Sequence, residues 1–485
     1  MKDGVSDLDL PLVENEDPDL HDPGDNSLYR ANEKRERQGK PLNCCEHWGP
    51  ERRKQFSYNH VNHYTLKDHH LLPFIKYGSG LSDGANIHKV HGGFSQVFFV
   101  HIHPEHHEFD DDDLDAERGF AVKQLTDEGH HANEKFKKEV NMLKKFTGDG
   151  AHSHVVSVLA TYEQFGRFHL IFHRANGDLF NYWKRICPSP KFDYATVVWV
   201  AKQLAGLADG LYRFHRHYTT PKTSEADQSS EDTNEKDHKN RPKDIFEENI
   251  LTGTKCTRFQ GDQLPHTTNK AARPTQEDLI TQYGRHGDLK PENLLWFPHR
   301  GDEKGILKII DFGQAELHSE NSKTYRQSRG IDTLTYRPPE GEIQPLMMRQ
   351  SSDIWSLGCI YLEFVTWMFD GAEGVQSFKT SRLSYDPHLR MKSDKFFECV
   401  TVSGFEHDGA QLKHSVSKHI EDLASRADCS EYFKDVLGLI RDMLVIEPSE
   451  DHPPPNRRKC CGEVRNFLEK AYEKCLKTRS YAMGG

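Results

Sequence analysis

Apolar and polar positions repeat with two different periods along this chain, and one gives way to the other near Gly177. From about Leu71 the runs KVHGGFSQVFFVHIH, FAVKQL and VVSVLATYEQFGRFHLIFH are rich in aromatic and β-branched residues. Such runs, bounded by turn residues, read as strands. The first predicts two strands around the pair Gly92-Gly93, the second one strand, and the third two strands joined by a turn at Gly166. Between the second and third, NEKFKKEVNMLKKF places Phe136, Val140 and Leu143 at helical spacing. Five strands and one amphipathic helix make a small, sheet-rich unit.

Beyond Gly177 the period becomes helical. VVWVAKQLAGLADGLYRF aligns Val200, Leu204, Leu207, Ala208 and Leu211 on one face. Helical patterns return at Asp353 to Phe369, Tyr432 to Leu444 and Glu463 to Tyr472. The run from Asp353 to Phe369 is apolar around most of its circumference, which places it in a core. Two stretches lack periodicity. The first fifty residues pass from acidic to basic, and residues 218–273, with TSEADQSSEDTNEKDHKNRPKD, hold few large apolar groups. Neither can bury enough area to offset its ordering entropy, so disorder is expected to about Gly49 and through the insert.

Composition narrows the function. The 485 residues carry 64 Lys and Arg against 75 Asp and Glu, a net charge of −11, so no global basic field is available for nucleic acid. The first residues, MKDGVSDLDL, are acidic with no apolar h-region, and no secretory signal is read there. The most apolar run, Ile354 to Phe369, is interrupted by Ser356, Gly358, Glu363 and Thr366 and is too short to predict a membrane span. Ten cysteines are scattered without a CxxC pair, which predicts reduced thiols in a cytoplasmic or nuclear setting. The histidines of HIHPEHHEFDDDD offer zinc-like ligands, but with 30 histidines in the chain a solvated strand-to-strand turn is the plainer reading.

The chemistry concentrates in HGDLKPENLLWF, which begins at His286, and LKIIDFG, which ends at Gly313. Asp288 and Asp311 flank a short apolar hairpin, with Lys290 two residues and Asn293 five residues after the first aspartate. Phosphoryl transfer asks for a carboxylate to receive a hydroxyl proton, metal ligands across the phosphates and cations to hold charge. One loop and the turn after it supply all three.

These residues resemble the catalytic and metal-binding loops of the eukaryotic protein kinase superfamily. The resemblance implies that Asp288 is the catalytic base, that Lys290 contacts the transferring phosphate, and that Asn293 and Asp311 hold Mg2+. It also implies that Lys123 of FAVKQL binds the ATP phosphates and pairs with Glu139, with Gly92, Gly93, Val97 and Ala121 lining the nucleotide site. Glu340 of TLTYRPPE, Asp353 of SSDIWSLGC and Arg458 of NRRKCCGEV resemble the residues that brace the large lobe. Lys290 and Thr333 are similar to their counterparts in Ser/Thr kinases. HGGFSxVF, HIHPxHH and HGDLKPEN together resemble a group of kinase-domain proteins of filamentous fungi.

Two departures matter. Val90 and Ser95 stand where the family's glycine loop has its first and third glycines, and their backbones are less free to close over phosphates. Gly287 replaces an arginine that in the family usually receives an activation-loop phosphate, which implies activity independent of such a phosphate. HGD is also typical of small-molecule phosphotransferases of the aminoglycoside and choline kinase type. Lys290, Phe312-Gly313, Pro338-Pro339-Glu340 and the DIWSLG helix resemble protein kinases instead.

The expected architecture is thus a two-lobed α+β protein kinase fold. A polar region at 1–70 precedes a kinase domain at 71–477, with a small lobe at 71–175, a large lobe at 176–477 and the insert at 218–273; a tail at 478–485 follows. ATP and Mg2+ are the implied cofactors, with adenine against a hinge around Phe172 to Gly177. Ser/Thr-bearing proteins are the implied substrates, with no nucleic acid or membrane and no particular oligomeric state. The alternative is a pseudokinase scaffold that binds nucleotide or partners without catalysis, for which the worn glycine loop and Gly287 speak.

Overall fold

The strand alternation read from FAVKQL and its neighbours is realised in the computed structural model. It describes residues 61–67, 72–77, 95–103, 106–107, 109, 119–125, 130–144, 146–215, 218–221, 279–299, 301–311, 316–319, 334–343, 349–387, 389–400, 409–446 and 457–484. The first sheet contains β1 (Asn62–Thr65), β2 (Phe74–Tyr77), β3 (Ser95–Ile102), β4 (Phe120–Leu125), β5 (Ala160–Gln164) and β6 (Arg167–His173). Its order is β1-β5-β6-β4-β3-β2, antiparallel apart from the β1–β5 pair. Leu66, Phe74, Val100, Ile102, Phe120, Val122, Tyr162 and Ile171 pack one core. Helix α1 (His130–Lys144) buries Phe136, Val140 and Leu143, with the Phe136 ring stacked 4.3 Å from Phe168.

The sheet has six strands where five were expected, and its extra strand lies before the expected domain start at Leu71. β1 runs parallel to β5, Asn62 opposite Ala160, and His63 Nδ1 lies 3.0 Å from Thr161 Oγ1. Four residues, three half-buried and Thr65 exposed, carry too little alternation to announce a strand; pairing with an available edge decides it. β3 finds its outer partner in β2, at Phe74–Tyr77, earlier than the pattern predicts. The first half of the predicted Gly92-Gly93 hairpin, including both glycines, lies outside the described residues, as do the first sixty residues.

The large lobe begins with β7 (Gly177–Asp178), and Asp178 caps a helical turn at Leu179–Asn181 by accepting from the Asn181 N–H at 2.7 Å. Helix α2 (Tyr194–His215) buries Val200, Leu204, Leu207, Ala208 and Leu211, the face its spacing predicts. β10 (Leu294–His299) and β11 (Asp302–Ile309) form an antiparallel hairpin against β7. Then come α3 (Glu340–Ile343) and α4 (Gln350–Ser381). Two short hairpins follow, β13 (Ser384–Asp386) with β14 (Met391–Ser393) and β15 (Phe397–Val400) with β16 (Gly409–Leu412). Helices α5 (His414–Ala424), α6 (Glu431–Met443), α7 (Cys461–Lys477) and α8 (Arg479–Met483) complete the lobe.

Helix α4 contains the predicted Asp353–Phe369 pillar, with almost every residue of that stretch buried, but continues to Ser381 across a break at Gly371. Gly371 has φ +65°, and a Cβ there would lie 2.6 Å from the Pro188 carbonyl oxygen, which accepts from the Ala372 N–H. Only glycine fits both demands. A second departure concerns the expected tail at 478–485. Its residues 479–483 form α8, Tyr481 and Ala482 are buried, and the Tyr481 hydroxyl donates to Asp435 Oδ2 at 2.7 Å. One helical turn is too short to display a period, so docking, not pattern, defines it.

Among the described residues, 218–221, 279–283 and 317–319 belong to a separate, smaller unit. Its strands β8 (Tyr218–Pro221), β9 (Leu279–Arg285) and β12 (Glu316–Ser319) are ordered β12-β9-β8, with Tyr218 opposite Gln282. The first four residues of the predicted insert are thus strand; residues 222–278 lie outside the described residues. Among the described residues, no helix is long and apolar enough to cross a membrane.

Candidate active site

Sheet register builds the first half of the site. Val97 lies opposite Lys123 and Phe99 opposite Ala121; across the next strand Lys123 lies opposite Leu170 and Ala121 opposite Phe172. Alternation puts these six side chains on one face. That face carries the site, because Lys123 Nζ reaches Glu139 Oε1 at 2.8 Å and Asp311 Oδ1 at 3.0 Å. Burial alone would lower the Lys123 pKa, but the two carboxylates outweigh it and push it well above the ordinary lysine value. The ammonium is therefore charged and points between a helix of the small lobe and the end of β11.

The second half hangs from α4. The Asp353 carboxylate accepts from the backbone N–H groups of His286 and Gly287, each at 2.8 Å, and pairs with His215 Nε2 at 2.7 Å. Desolvation would raise its pKa, but His215, the nearby His286 ring and the Gly287 N–H reverse that and hold it below the usual carboxylate value. Gly287 has φ +80°, a conformation most side chains avoid, and this turn aims both N–H groups at one carboxylate. His286 Nε2 lies 3.1 Å from the Ile310 carbonyl, tying the loop to the far end of the β10–β11 hairpin.

Asp288 is buried, with Lys290 Nζ 3.0 Å from Oδ2. Asn293 Nδ2 donates to the Asp288 carbonyl at 2.8 Å and to Oδ2 at 3.0 Å, which leaves Asn293 Oδ1 as an acceptor. The Ile310 N–H bonds to the Asn293 carbonyl at 3.0 Å, so the start and end of the hairpin are clasped beside each other. Asp311 follows at φ +70°. A non-glycine residue held there stores strain on the order of 1 kcal/mol, and such strain clusters at functional sites. Asn293 and Asp311 thus offer hard oxygen donors of the kind that suits a divalent cation.

Sequence reasoning placed Lys123, Glu139, Asp288, Lys290, Asn293 and Asp311, and the fold brings them together as two linked groups. Val97 and Ala121 line the same face as Lys123; Gly92, Gly93, Thr333 and Phe312-Gly313 lie outside the described residues. The expected hinge falls between β6 and β7, where the Asn176 N–H bonds to the Trp296 carbonyl at 3.0 Å. The Arg174 guanidinium sits 4.4 Å over the Phe99 ring at the edge of the same face. Glu340 and Arg458 make a bidentate pair at 2.7 and 3.1 Å.

His215 was not anticipated. It ends α2 on the buried face, where a polar residue at a core position is the available signal. His154 was also missed. It anchors the segment after α1, its Nδ1 lying 2.8 Å from the Leu307 carbonyl. Val156 and Ile309 continue that seam through backbone bonds, which fixes the strand leading into Asp311.

Residues 281–453, a little over a third of the chain, match the family described as protein kinase domain. Cyclin-dependent kinase E-1 of Arabidopsis thaliana is 33% identical over 117 residues, 24% of this chain and 23% of that protein. Cyclin-dependent kinase 2 of Caenorhabditis elegans is 37% identical over 108 residues, 22% of this chain and 27% of that protein. Cyclin-dependent kinase 15 of Homo sapiens is 42% identical over 90 residues, 19% and 18% of the two chains. The chain therefore spans between about a fifth and a quarter of the length of these relatives. With a sheet-rich small lobe, a largely helical large lobe and this match, the chain has the two-lobed α+β protein kinase fold.

Proposed function

We propose that this chain is an ATP-dependent protein kinase that transfers the γ-phosphate to Ser or Thr hydroxyls of protein substrates. The observation that carries this reading is the Lys123 ammonium held between Glu139 and Asp311, above a loop in which Asp288 is gripped by Lys290 and Asn293. Lys123 supplies fixed positive charge for the nucleotide phosphates. Asp288 accepts the proton of the incoming hydroxyl, and Asn293 holds its carboxylate in one orientation. Lys290, beside Asp288, stabilises charge on the transferring group. Asn293 Oδ1 and the Asp311 carboxylate would hold Mg2+, which when bound neutralises phosphate charge. Lys290 favours Ser/Thr acceptors, as does the similarity, 36% identity over 126 residues, to a Dictyostelium discoideum protein named as a putative cyclin-dependent serine/threonine-protein kinase.

The test is phosphate transfer from Mg-ATP to a protein acceptor by the full chain and by Asp288→Asn. The wild type should label the acceptor, and the variant should lose activity by about 10³-fold or more, on the scale of a lost general base that also orients its neighbours. Nucleotide-dependent thermal protection should persist in both. Protection without labelling by the wild type would replace this reading with the scaffold reading.

A further inference from the structure

β1, the sixth strand of the first sheet, adds a side chain to the face that carries Lys123. His63 lies opposite Thr161, Thr161 opposite Leu170, Leu170 opposite Lys123 and Lys123 opposite Val97. Directly opposed residues on neighbouring strands point to the same side of a sheet, so His63 and Lys123 share one face. Tyr64 and Leu66 point the other way, into the core with Tyr162 and Ile171. Bonds beyond the ladder hold the strand in this register. The Leu66 N–H bonds to the Glu163 carbonyl at 2.9 Å, and Gln164 Nε2 donates to the Lys67 carbonyl at 3.1 Å.

His63 is where β1 meets α1. Its ring centroid lies 5.2 Å from that of Phe136 and 6.3 Å from that of Phe168, and the two phenylalanine rings stack at 4.3 Å. His63 Nδ1, 3.0 Å from Thr161 Oγ1, fixes the orientation of the imidazole. Burial, and after it the Lys144 charge, lower the His63 pKa to about 4, so the ring packs uncharged. Phe136 precedes Glu139 by three residues, which puts both on the side of α1 turned to the sheet. Two attachments of the helix therefore lie one turn apart: Phe136 on the ring from β1, and Glu139 on the Lys123 ammonium from β4 at 2.8 Å. Three strand spacings of about 4.8 Å separate His63 from Lys123 along the row, too far for direct contact. Any influence of His63 on Lys123 passes through α1.

We propose that His63 is a positioning residue for the Lys123–Glu139 pair: β1 carries its ring against Phe136, and that contact fixes α1 where Glu139 reaches Lys123. The proposal rests on the kinase reading. Without the ring, Phe136 loses its packing on that side, α1 samples positions with Glu139 out of reach, and Lys123 is left to Asp311. The loss falls on nucleotide use and spares acceptor binding.

The experiment measures steady-state transfer per folded molecule by the full chain, His63→Ala, His63→Phe and His63→Gln, varying ATP and acceptor separately. His63→Ala is also made in a Glu139→Gln background. His63→Ala should lower kcat/KM for ATP about tenfold, the upper range of one aromatic pairing, with acceptor KM within about twofold of wild type. His63→Phe keeps a ring against Phe136 and should restore kcat/KM for ATP to within about threefold. His63→Gln keeps a polar partner for Thr161 without a ring and should resemble His63→Ala. In the Glu139→Gln background His63→Ala should cost less than about twofold, because the pair it positions is already broken. Amides of α1 should exchange faster in His63→Ala than in wild type. If His63→Ala does not fold, His63→Gln against His63→Phe carries the same comparison. An unchanged kcat/KM for ATP, an equal loss in His63→Phe and His63→Ala, or the full loss repeated in the Glu139→Gln background overturns the proposal. A wild type that transfers no phosphate removes the kinase reading itself, a different failure, and α1 exchange then reads whether His63 holds the helix.

Discussion

Two groups of buried ions in the large unit look alike on paper and differ in one respect. Lys123, Glu139 and Asp311 form a triad whose Asp311 side chain is 38% exposed, whereas in the Arg458–Glu340 pair the side chains are 0% and 8% exposed. Both satisfy a cation with carboxylates. The first keeps a carboxylate partly exposed to solvent; in the second every guanidinium donor bonds protein, since Arg458 also bonds the Ser351 and Val445 carbonyls. An open cluster is chemistry waiting for a substrate, and a sealed one is architecture.

Breaking the sealed pair should therefore cost fold, and disturbing the open triad should cost transfer. Arg458→Met leaves a buried, uncompensated Glu340 and should lower unfolding free energy by about 3–5 kcal/mol in urea titration. Lys123→Arg keeps the charge but not the compact ammonium. Transfer should fall about a hundredfold, with stability within about 1 kcal/mol of wild type by the same titration. If Lys123→Arg unfolds the chain while remaining fully active per folded molecule, the distinction between the two clusters is wrong.

Acidification sharpens the contrast from another side. Burial lowers the pKa of His169 to about 4 and of His154 to about 3, so both stay neutral in the fold near pH 5. The unfolded chain binds those protons from about pH 6.5 downward, so it is the unfolded state that gains. Stability attributable to these histidines is present above pH 6.5 and is lost as the pH falls toward their folded values. Each contributes a slope of about 1.4 kcal/mol per pH unit at most, and His169→Gln should remove about one such proton from the pH dependence of urea unfolding. Tyr336→Phe, which removes a hydroxyl that donates to Glu363 Oε2 at 2.8 Å, has the smallest expected effect, about 1 kcal/mol, because Arg382 still pairs with Glu363. Thermal melting at neutral pH reads it.

Legibility in the sequence followed the range of the interactions. Asp288, Lys290 and Asn293 lie within six residues of one another and are bonded to one another, so their local spacing together with the family resemblance singled out the loop. Lys123 and Glu139 were placed through the family resemblance, because a lysine ending a strand and a glutamate among lysines are weak signals by themselves. Arg382, Asp394 and Lys395 gave no such sign. They occupy a segment without periodicity and bond to partners up to 59 residues away, and a lysine in a polar stretch reads as a surface residue. β1 and α8 were missed for a related reason: each is too short to carry a pattern, and each exists because a neighbour offers it an edge or a groove.

The amino-acid sequence by itself determined which segments alternate as strands, which wind as amphipathic helices, and which short loop carries two carboxylates, a lysine and an asparagine at fixed offsets. Those properties are local, set by side-chain shape, backbone freedom and spacing over a few residues. Tertiary structure alone decided that Lys123 meets Asp311 across 188 positions of chain, that Asp353 collects two backbone N–H groups and a histidine, and that the buried Arg382 and Lys395 find Glu363 and Asp386 as partners. Burial strengthens such long-range pairings by removing water from around the charges, and burial is a property of the packed chain.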